Sequence, residues 1–385
     1  MLNKSIKFQN FLFKKNTSLK KKILKLFNDL VRSDSQILSS MSVNYKDSYT
    51  KKLILGLKKT PNIDLVGMGG SVLGAKAIYK FLKNPKKKFN FIDNFSNYRP
   101  IKKRKYINLI ISKSGNTLET ISNVNTLINK KKKNIFITEN KKSYLTNLAK
   151  KYKSKIIYHN NYIGGRYSVL SEVGMLPAEL MGYKPKKFRR FNSLIKNKKF
   201  VNQLINNVSS IFEFIKSNKN NSIILNYDDK SDNFFKWYQQ LTAESLGKKN
   251  KGILPIVSSM PRDNHSLMQY YLDGVKNSFF TLFFVIEKNT KKIKNKEILS
   301  SHYYLKNKSL NDIAFSQFLA TANVLKKKKI PFRSFIIKKR DEETLGELFI
   351  YFILETILLA KLMKIDPYNQ PAVELIKKET KKRLI

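Results

Sequence analysis

The chain contains no cysteine among its 385 residues, which excludes disulfide bonds and cysteine-ligated metal sites. It also lacks an apolar run of the roughly 18 residues that a membrane-spanning helix needs. The most apolar stretch, residues 347–363, is interrupted by Glu355 and Lys361 and predicts a buried helix. The basic N-terminal stretch has no continuous apolar segment followed by a small-residue cleavage site, so we expect a cytoplasmic protein without a membrane partner.

Acidic residues are scarce, with 27 Asp and Glu against 76 Lys and Arg and a formal net charge of +49. Such a balance is common in nucleic-acid-binding proteins. The basic residues here are mostly lysines in short runs spread along the whole chain, however, whereas a nucleic-acid-binding face concentrates Arg and Lys with exposed aromatic residues. Enrichment in Lys, Asn, Ile, Phe and Tyr is also typical of an AT-biased genome. We therefore expect no nucleic-acid partner, and a general attraction of anionic substrates.

The apolar pattern divides the chain into four predicted parts. Apolar residues at three- and four-residue spacing predict a helical segment over residues 1–55. Strand-like apolar runs then alternate with helical segments over residues 56–190 and again over 191–345, and a helical segment follows over 346–385. This alternation predicts an α/β fold with two doubly wound parallel sheets, and a ligand belongs at the carboxyl ends of their strands.

Two turns at predicted strand ends carry groups suited to binding an anion. "GMGGS" (67–71) brings Gly70 and Ser71 to a strand end, although it lacks the spacing of a dinucleotide or nucleoside triphosphate loop and would also suit a tight turn. "SKSGNT" (112–117) places hydroxyl groups and an amine where a strand becomes a helix: Ser112, Lys113, Ser114 and Thr117. Some of these hydroxyls also suit helix capping. We predict that the two turns together bind a phosphate monoester.

Four further residues are candidates for chemistry, each with a plainer interpretation. Arg166 follows two glycines and could stabilise an oxyanion or hold a carboxylate, or form a structural salt bridge. Glu244, near the end of a predicted amphipathic helix, could be a proton-abstracting base or an exposed helical residue. His265 is the histidine best placed to exchange protons, and no metal-ligand spacing accompanies it. Lys377, which lies beside Lys378, is a candidate only because the chain also contains the other three residues.

These motifs, taken in order, resemble the glucose-6-phosphate isomerase (phosphoglucose isomerase) family over about residues 60 to 380. The most specific signatures are "GGRYSVLSEVGMLP", "QQLTAESLGK" and "QPAVELIKK", whereas "SKSGNT" alone would indicate only the wider sugar-isomerase class. The resemblance implies two sugar-isomerase (flavodoxin-like) domains, a homodimer, and interconversion of glucose 6-phosphate and fructose 6-phosphate by ring opening and enediolate proton transfer. It implies no metal and no organic cofactor.

The same resemblance implies a role for each candidate residue. Glu244 would move a proton between C2 and C1, and Arg166 would stabilise the enediolate charge. His265, given by the neighbouring subunit, and Lys377 would open the sugar ring, while Gln370 would contact the substrate. The phosphate would be held by side chains of the two turns, with Gly70 supporting the pocket: Ser71, Ser112, Lys113, Ser114 and Thr117.

The chain departs from the family pattern near its end, and two other functions stay open. Ala372 and Ile376 stand where the family usually has glycines, and the adjacent Lys378 competes with Lys377, although the seven-residue step from Gln370 favours Lys377. One alternative is a dual-specificity phosphoglucose/phosphomannose isomerase. The other is a non-catalytic protein that binds phosphosugars or nucleic acid.

Overall fold

Two five-stranded sheets form the framework of the computed structural model, which describes residues 4–11, 16–57, 59–82, 85–95, 106–130 and 132–385. The strands within these ranges are β1 (Ile6–Gln9), β2 (Asn62–Gly67), β3 (Lys88–Ile92), β4 (Tyr106–Ile111), β5 (Lys133–Glu139), β6 (Lys155–His159), β7 (Asn221–Asn226), β8 (Leu254–Ser259), β9 (Ser278–Val285) and β10 (Phe332–Ile337).

Helices cover both sheets. The α-helices are α1 (Thr17–Arg32), α2 (Gln36–Ser40), α3 (Lys51–Leu57), α4 (Leu73–Phe81), α5 (Leu118–Leu127), α6 (Tyr144–Lys151), α7 (Glu172–Leu180), α8 (Pro185–Phe188), α9 (Phe191–Leu194), α10 (Lys198–Lys216), α11 (Asp232–Leu246), α12 (Met268–Asp273), α13 (Leu310–Lys327), α14 (Glu342–Met363) and α15 (Pro371–Leu384). Short 3-10 helices lie at Gly69–Ser71, Gly165–Leu170, Asp229–Ser231, Arg262–His265, Asn295–Glu297 and Ser300–Leu305.

The first sheet is parallel throughout, with strand order β3-β2-β4-β5-β6. Every residue of β2 and β4 is buried, as expected for parallel strands covered on both faces. Because β2 and β4 are neighbours, with Gly67 opposite Ile111, the two predicted phosphate turns leave the sheet side by side. The predicted α/β class with parallel sheets is confirmed.

The second sheet has the order β1-β10-β9-β7-β8 and is parallel except for its edge strand. Strand β1 pairs antiparallel with β10 and buries alternate residues. The prediction of a helical segment over residues 1–55 is therefore wrong for Ile6–Gln9. Four residues are too few to show a helical or strand period by themselves, and pairing with β10, far along the chain, determines their conformation. The residue bounds of the four predicted parts stay a prediction.

The predicted buried helix is α14, which buries all but a few of its residues against the second sheet and the surrounding helices. Its internal carboxylate, Glu355, pairs with the buried Arg333 of β10 and accepts a hydrogen bond from Asn207, so the charge has partners inside the core. Among the described residues, no helix combines the length and apolarity needed to cross a membrane. By contrast, helix α15, all of whose residues the structure describes, buries none of its side chains.

Candidate active site

The predicted phosphate turns lie together at the carboxyl edge of the first sheet. After β2 the chain forms the 3-10 helix Gly69–Ser71 and enters α4, and after β4 it forms the turn that leads into α5. Gly67 is required here, because a Cβ atom at this position would lie 2.7 Å from the Ile111 carbonyl oxygen of the neighbouring strand. The close approach of the two strand ends places both turns on one face of the sheet.

Three hydroxyl groups of the second turn form a compact group at the start of α5. The Ser112 Oγ and Thr117 Oγ1 atoms are 3.0 Å apart, and the Ser114 Oγ lies 3.5 Å from the same Thr117 atom. Gly115 has a φ of +67° and packs against Ser143, so the turn needs a glycine. Hydroxyl groups and the free backbone N–H groups of a helix start are suited to phosphate oxygens.

Lys113 points toward a neighbouring strand end. Its Nζ atom donates to the Asn161 carbonyl oxygen at 2.8 Å and lies 3.4 Å from the Glu139 carboxylate at the end of β5. Glu139 also pairs with Lys141, so one carboxylate is shared by two lysines and offsets the Lys113 charge only in part. The role of Lys113 in binding phosphate stays a prediction.

The glycine pair before Arg166 allows two turns to touch. The 3-10 helix Gly165–Leu170 packs on the first turn, and a Cβ atom at Gly70 would lie 2.6 Å from the Arg166 nitrogen and closer still to Gly165. Ser168 stabilises this contact by donating a hydrogen bond of 2.7 Å to the Gly165 carbonyl oxygen. Arg166 therefore starts from the point where the phosphate turns and the next segment meet.

Arg166 is buried and directs its whole guanidinium group into a cluster of partners. Its Nη1 atom donates to Glu244 Oε2 at 2.9 Å and to Gln370 Oε1 at 2.8 Å, and its Nε atom donates to Ser245 Oγ at 2.9 Å. Its Nη2 atom donates to the carbonyl oxygens of Pro367 and Asn369, at 2.6 Å and 3.0 Å. An arginine stays charged in such a site, so it holds a fixed positive charge beside Glu244.

Glu244 lies in the last turn of α11, with its side chain about one-third exposed. One oxygen accepts from Arg166 and the other accepts from Gln240 Nε2 at 3.0 Å. The carboxylate borders a cavity of about 740 Å³ that Lys248, Asn369 and Gln370 also line. Glu244 is thus a carboxylate that is oriented by two donors and still reachable from solvent, as a proton-transfer base requires.

Sequence reasoning missed three residues that support this cluster. Gln240 donates to Glu244 and also packs against the first turn, since a Cβ atom at Gly69 would lie 2.7 Å from Gln240 Nε2. Its position four residues before Glu244, on the same face of α11, was the signal in the sequence. Ser245 and Tyr167 support Arg166, their hydroxyl oxygens lying 2.8 Å apart. Burial raises the pKa of Tyr167 to about 12, so this hydroxyl stays protonated.

The two predicted ring-opening residues lie apart from the cluster within one chain. His265 is exposed on the 3-10 helix Arg262–His265 and is not among the described residues that line the Glu244 cavity. Lys377 is exposed on α15, where it pairs with Glu374 at 2.6 Å, and its neighbour Lys378 is exposed as well. A single chain therefore brings together Arg166, Glu244 and Gln370, but neither of these two residues.

Within the part of the chain that the structure describes, no group of three or more His, Asp or Glu side chains could hold a metal ion. Among the described residues, Arg166 forms the ion pair with Glu244, with 2.9 Å between Nη1 and Oε2.

Comparison with known proteins gives one consistent family. The model of the family described as phosphoglucose isomerase matches residues 55–384. A glucose-6-phosphate isomerase of Methanocaldococcus jannaschii is 32% identical over 376 residues, covering 91% of the chain and 90% of that protein. A glucose-6-phosphate isomerase of Campylobacter jejuni is 31% identical over 341 residues, covering 82% and 83%.

Solved structures agree on the fold. A hypothetical protein from Thermus thermophilus superposes with a TM-score of 0.80 at 20% identity, covering 95% of the chain and 94% of that structure. A glucose-6-phosphate isomerase from Chlamydia trachomatis superposes with a TM-score of 0.73 at 16% identity, covering 99% and 88%. At these identities the likeness concerns the fold alone.

Proposed function

The chain belongs to the phosphoglucose isomerase family, and from that premise we propose that Arg166, Glu244 and Gln370 form the centre of its active site. The reaction is the interconversion of glucose 6-phosphate and fructose 6-phosphate, an aldose–ketose isomerisation of glycolysis and gluconeogenesis. The observation that carries the site assignment is the 2.9 Å contact between Arg166 Nη1 and Glu244 Oε2 at the edge of a cavity.

Proton transfer needs a base and a stabilised oxyanion in the same place. In the open-chain aldose, Glu244 removes the proton from C2 and the electrons move through C1 onto the carbonyl oxygen, giving an enediolate. Glu244 then returns the proton to C1, the carbonyl forms at C2, and the hydroxyl proton moves from O2 to O1. The fixed positive charge of Arg166 lowers the energy of the enediolate by electrostatic attraction, because a charge that protein groups already hold in place needs no rearrangement during the reaction.

The substrate phosphate belongs in the paired turns of the first sheet. The hydroxyl groups of Ser71, Ser112, Ser114 and Thr117 and the first N–H groups of α5 supply the donors, and Gly70 keeps the turn close to the Arg166 segment. Lys113 adds a nearby positive charge, although Glu139 shares it. A phosphate held there and a sugar reaching toward Glu244 give the substrate one orientation.

Ring opening requires a second subunit in this proposal. His265 is exposed and lies outside the Glu244 cavity of its own chain, and Lys377 is carried by a helix that buries none of its side chains there. We infer a homodimer in which His265 serves the neighbouring active site and works with Lys377 on the ring oxygen and the C1 hydroxyl.

The expected cytoplasmic location and the absence of a nucleic-acid partner stay predictions that cell fractionation and a DNA-binding assay would test.

A coupled assay tests the function directly. Purified protein supplied with fructose 6-phosphate is expected to produce glucose 6-phosphate, and Glu244→Gln is expected to lower turnover on the order of a thousandfold with KM largely kept, since a general base contributes several decades. Unchanged turnover of the variant would contradict the assignment of the base. Mannose 6-phosphate in a parallel assay tests the dual-specificity alternative, which the reported relatives do not favour.

A further inference from the structure

Three cations donate hydrogen bonds to backbone carbonyl groups at the end of α14 and in the segment that leads to α15. Arg166 donates to the Pro367 and Asn369 carbonyl oxygens. Lys248 Nζ lies 2.5 Å from the Asp366 carbonyl oxygen, and Lys251 Nζ lies 3.3 Å from that of Met363. Carbonyl groups at and after a helix end lack partners within the helix, so these charged donors satisfy them and fix the path of the segment.

The two lysines reach this segment from one tight turn. After α11 ends, Lys248 and Lys251 pair with each other through two backbone hydrogen bonds of 3.1 Å and 2.9 Å. Between them, Lys249 and Asn250 have φ angles of +52° and +56°. Positive φ at both central positions is the geometry of a type I′ turn, which usually contains glycine or asparagine. The turn brings both lysine side chains within reach of the Asp366 and Met363 carbonyl groups.

Lys248 differs from the solvated lysines that dominate the chain. It is half-buried and lines the cavity of Glu244 and Gln370. Burial and the neighbouring Arg166 charge lower the pKa of Lys248. A cation kept so close to a second cation is costly, and its hydrogen bond to Asp366 offsets that cost.

The direction of α15 depends on this segment. Because α15 buries no side chain, its own packing does not orient it within the chain, and the residues before it set the direction in which it leaves. Gln370 is held directly by Arg166, whereas Lys377 lies two turns further along the helix. We propose that Lys248 is a positioning residue of the isomerase: by bonding the Asp366 carbonyl group it sets the exit of α15 and thereby places Lys377 for ring opening. This inference rests on the proposed function.

A matched set of variants tests this role. Lys248→Met removes the donor, Lys248→Arg keeps it, and Lys236→Met changes an exposed lysine of α11 that is not among the residues lining the cavity. For Lys248→Met we expect kcat to fall ~10-fold or more while KM changes less than about threefold, because the substrate-holding groups stay in place. Lys248→Arg is expected to recover most of the loss, and Lys236→Met to match the parent chain.

A double-mutant cycle separates positioning from a general loss of structure. If Lys248 acts through Lys377, Lys248→Met added to Lys377→Met lowers kcat little further, because coupled residues are not additive. Additive losses, full activity of Lys248→Met, or no recovery by Lys248→Arg would each overturn the proposal. Lys248→Gln, which keeps a shorter donor, replaces Lys248→Met in the cycle if the latter does not fold. An inactive parent chain would instead contradict the proposed function.

Discussion

Arg166 makes five hydrogen bonds to groups from two distant parts of the chain, and this one residue assembles the candidate site. Glu244 and Ser245 come from α11, whereas Pro367, Asn369 and Gln370 belong to the segment before α15. A buried charge is stable only when its donors have partners, and every terminal nitrogen of this guanidinium group has one. The same bonds that offset the cost of burial hold Glu244, the proposed base, and the Gln370 amide in place.

Substitution of Arg166 by lysine tests the need for a planar, multidentate group. A lysine keeps the charge but cannot donate to Glu244, Gln370 and the two carbonyl groups together. We expect Arg166→Lys to lower kcat roughly 100-fold, because Glu244 and Gln370 lose the group that orients them and a small displacement of a reacting group can cost about this much. Steady-state kinetics would measure this, with circular dichroism melting as the control for folding; an unaltered kcat in a folded variant would contradict the role of Arg166.

At the scale of elements, the site depends on turns that approach each other more closely than side chains allow. The turn after β2 and the turn before α7 touch through Gly70 and Gly165, and the sequence has glycines on both sides of that contact. The sequence identified the glycine-rich turn as part of an anion site. It did not reveal that the two turns approach each other.

The contact at Gly70 gives a test with an internal control. A Cβ atom at Gly70 would collide with the backbone of Gly165 and Arg166, so Gly70→Ala is expected to displace Arg166, lower kcat/KM at least about tenfold and lower the melting temperature. Gly164→Ala is the control, because its Cβ would meet nothing closer than 3.6 Å, in the Tyr167 ring. Equal effects of the two substitutions would show that the Gly70 contact is not what positions Arg166.

The C-terminal helix shows how the departures from the family pattern are accommodated. Ala372 and Ile376 replace the usual glycines, and both lie inside the regular helix α15, where residues with a Cβ atom are favoured over glycine. Ile376 is 70% exposed, so no backbone of the described residues requires a glycine at that position. Alanine and isoleucine at these two positions are therefore compatible with a helix whose placement is set by the segment before it.

At the scale of the whole molecule, complementation between inactive variants tests the proposed dimer. If His265 serves the neighbouring site, a mixed dimer of Glu244→Gln and His265→Ala subunits contains one complete site. Random reassociation of equal amounts is then expected to restore about a quarter of the parent activity, since half of the dimers are mixed and each has one of two sites intact. Each variant alone is the control; no recovery after verified subunit exchange would place His265 in the site of its own chain.

The sequence by itself determined the fold class and the chemical groups of the site. Apolar periodicity is local, so nine of the ten described strands and the buried helix α14 could be located from it. The tertiary structure alone decided the rest. It paired β1 with β10, directed Lys113 toward Glu139, and joined Arg166 to Glu244 and Gln370, which are 78 and 204 residues away along the chain. Contacts at such separations depend on how the sheets pack, and no local pattern records them.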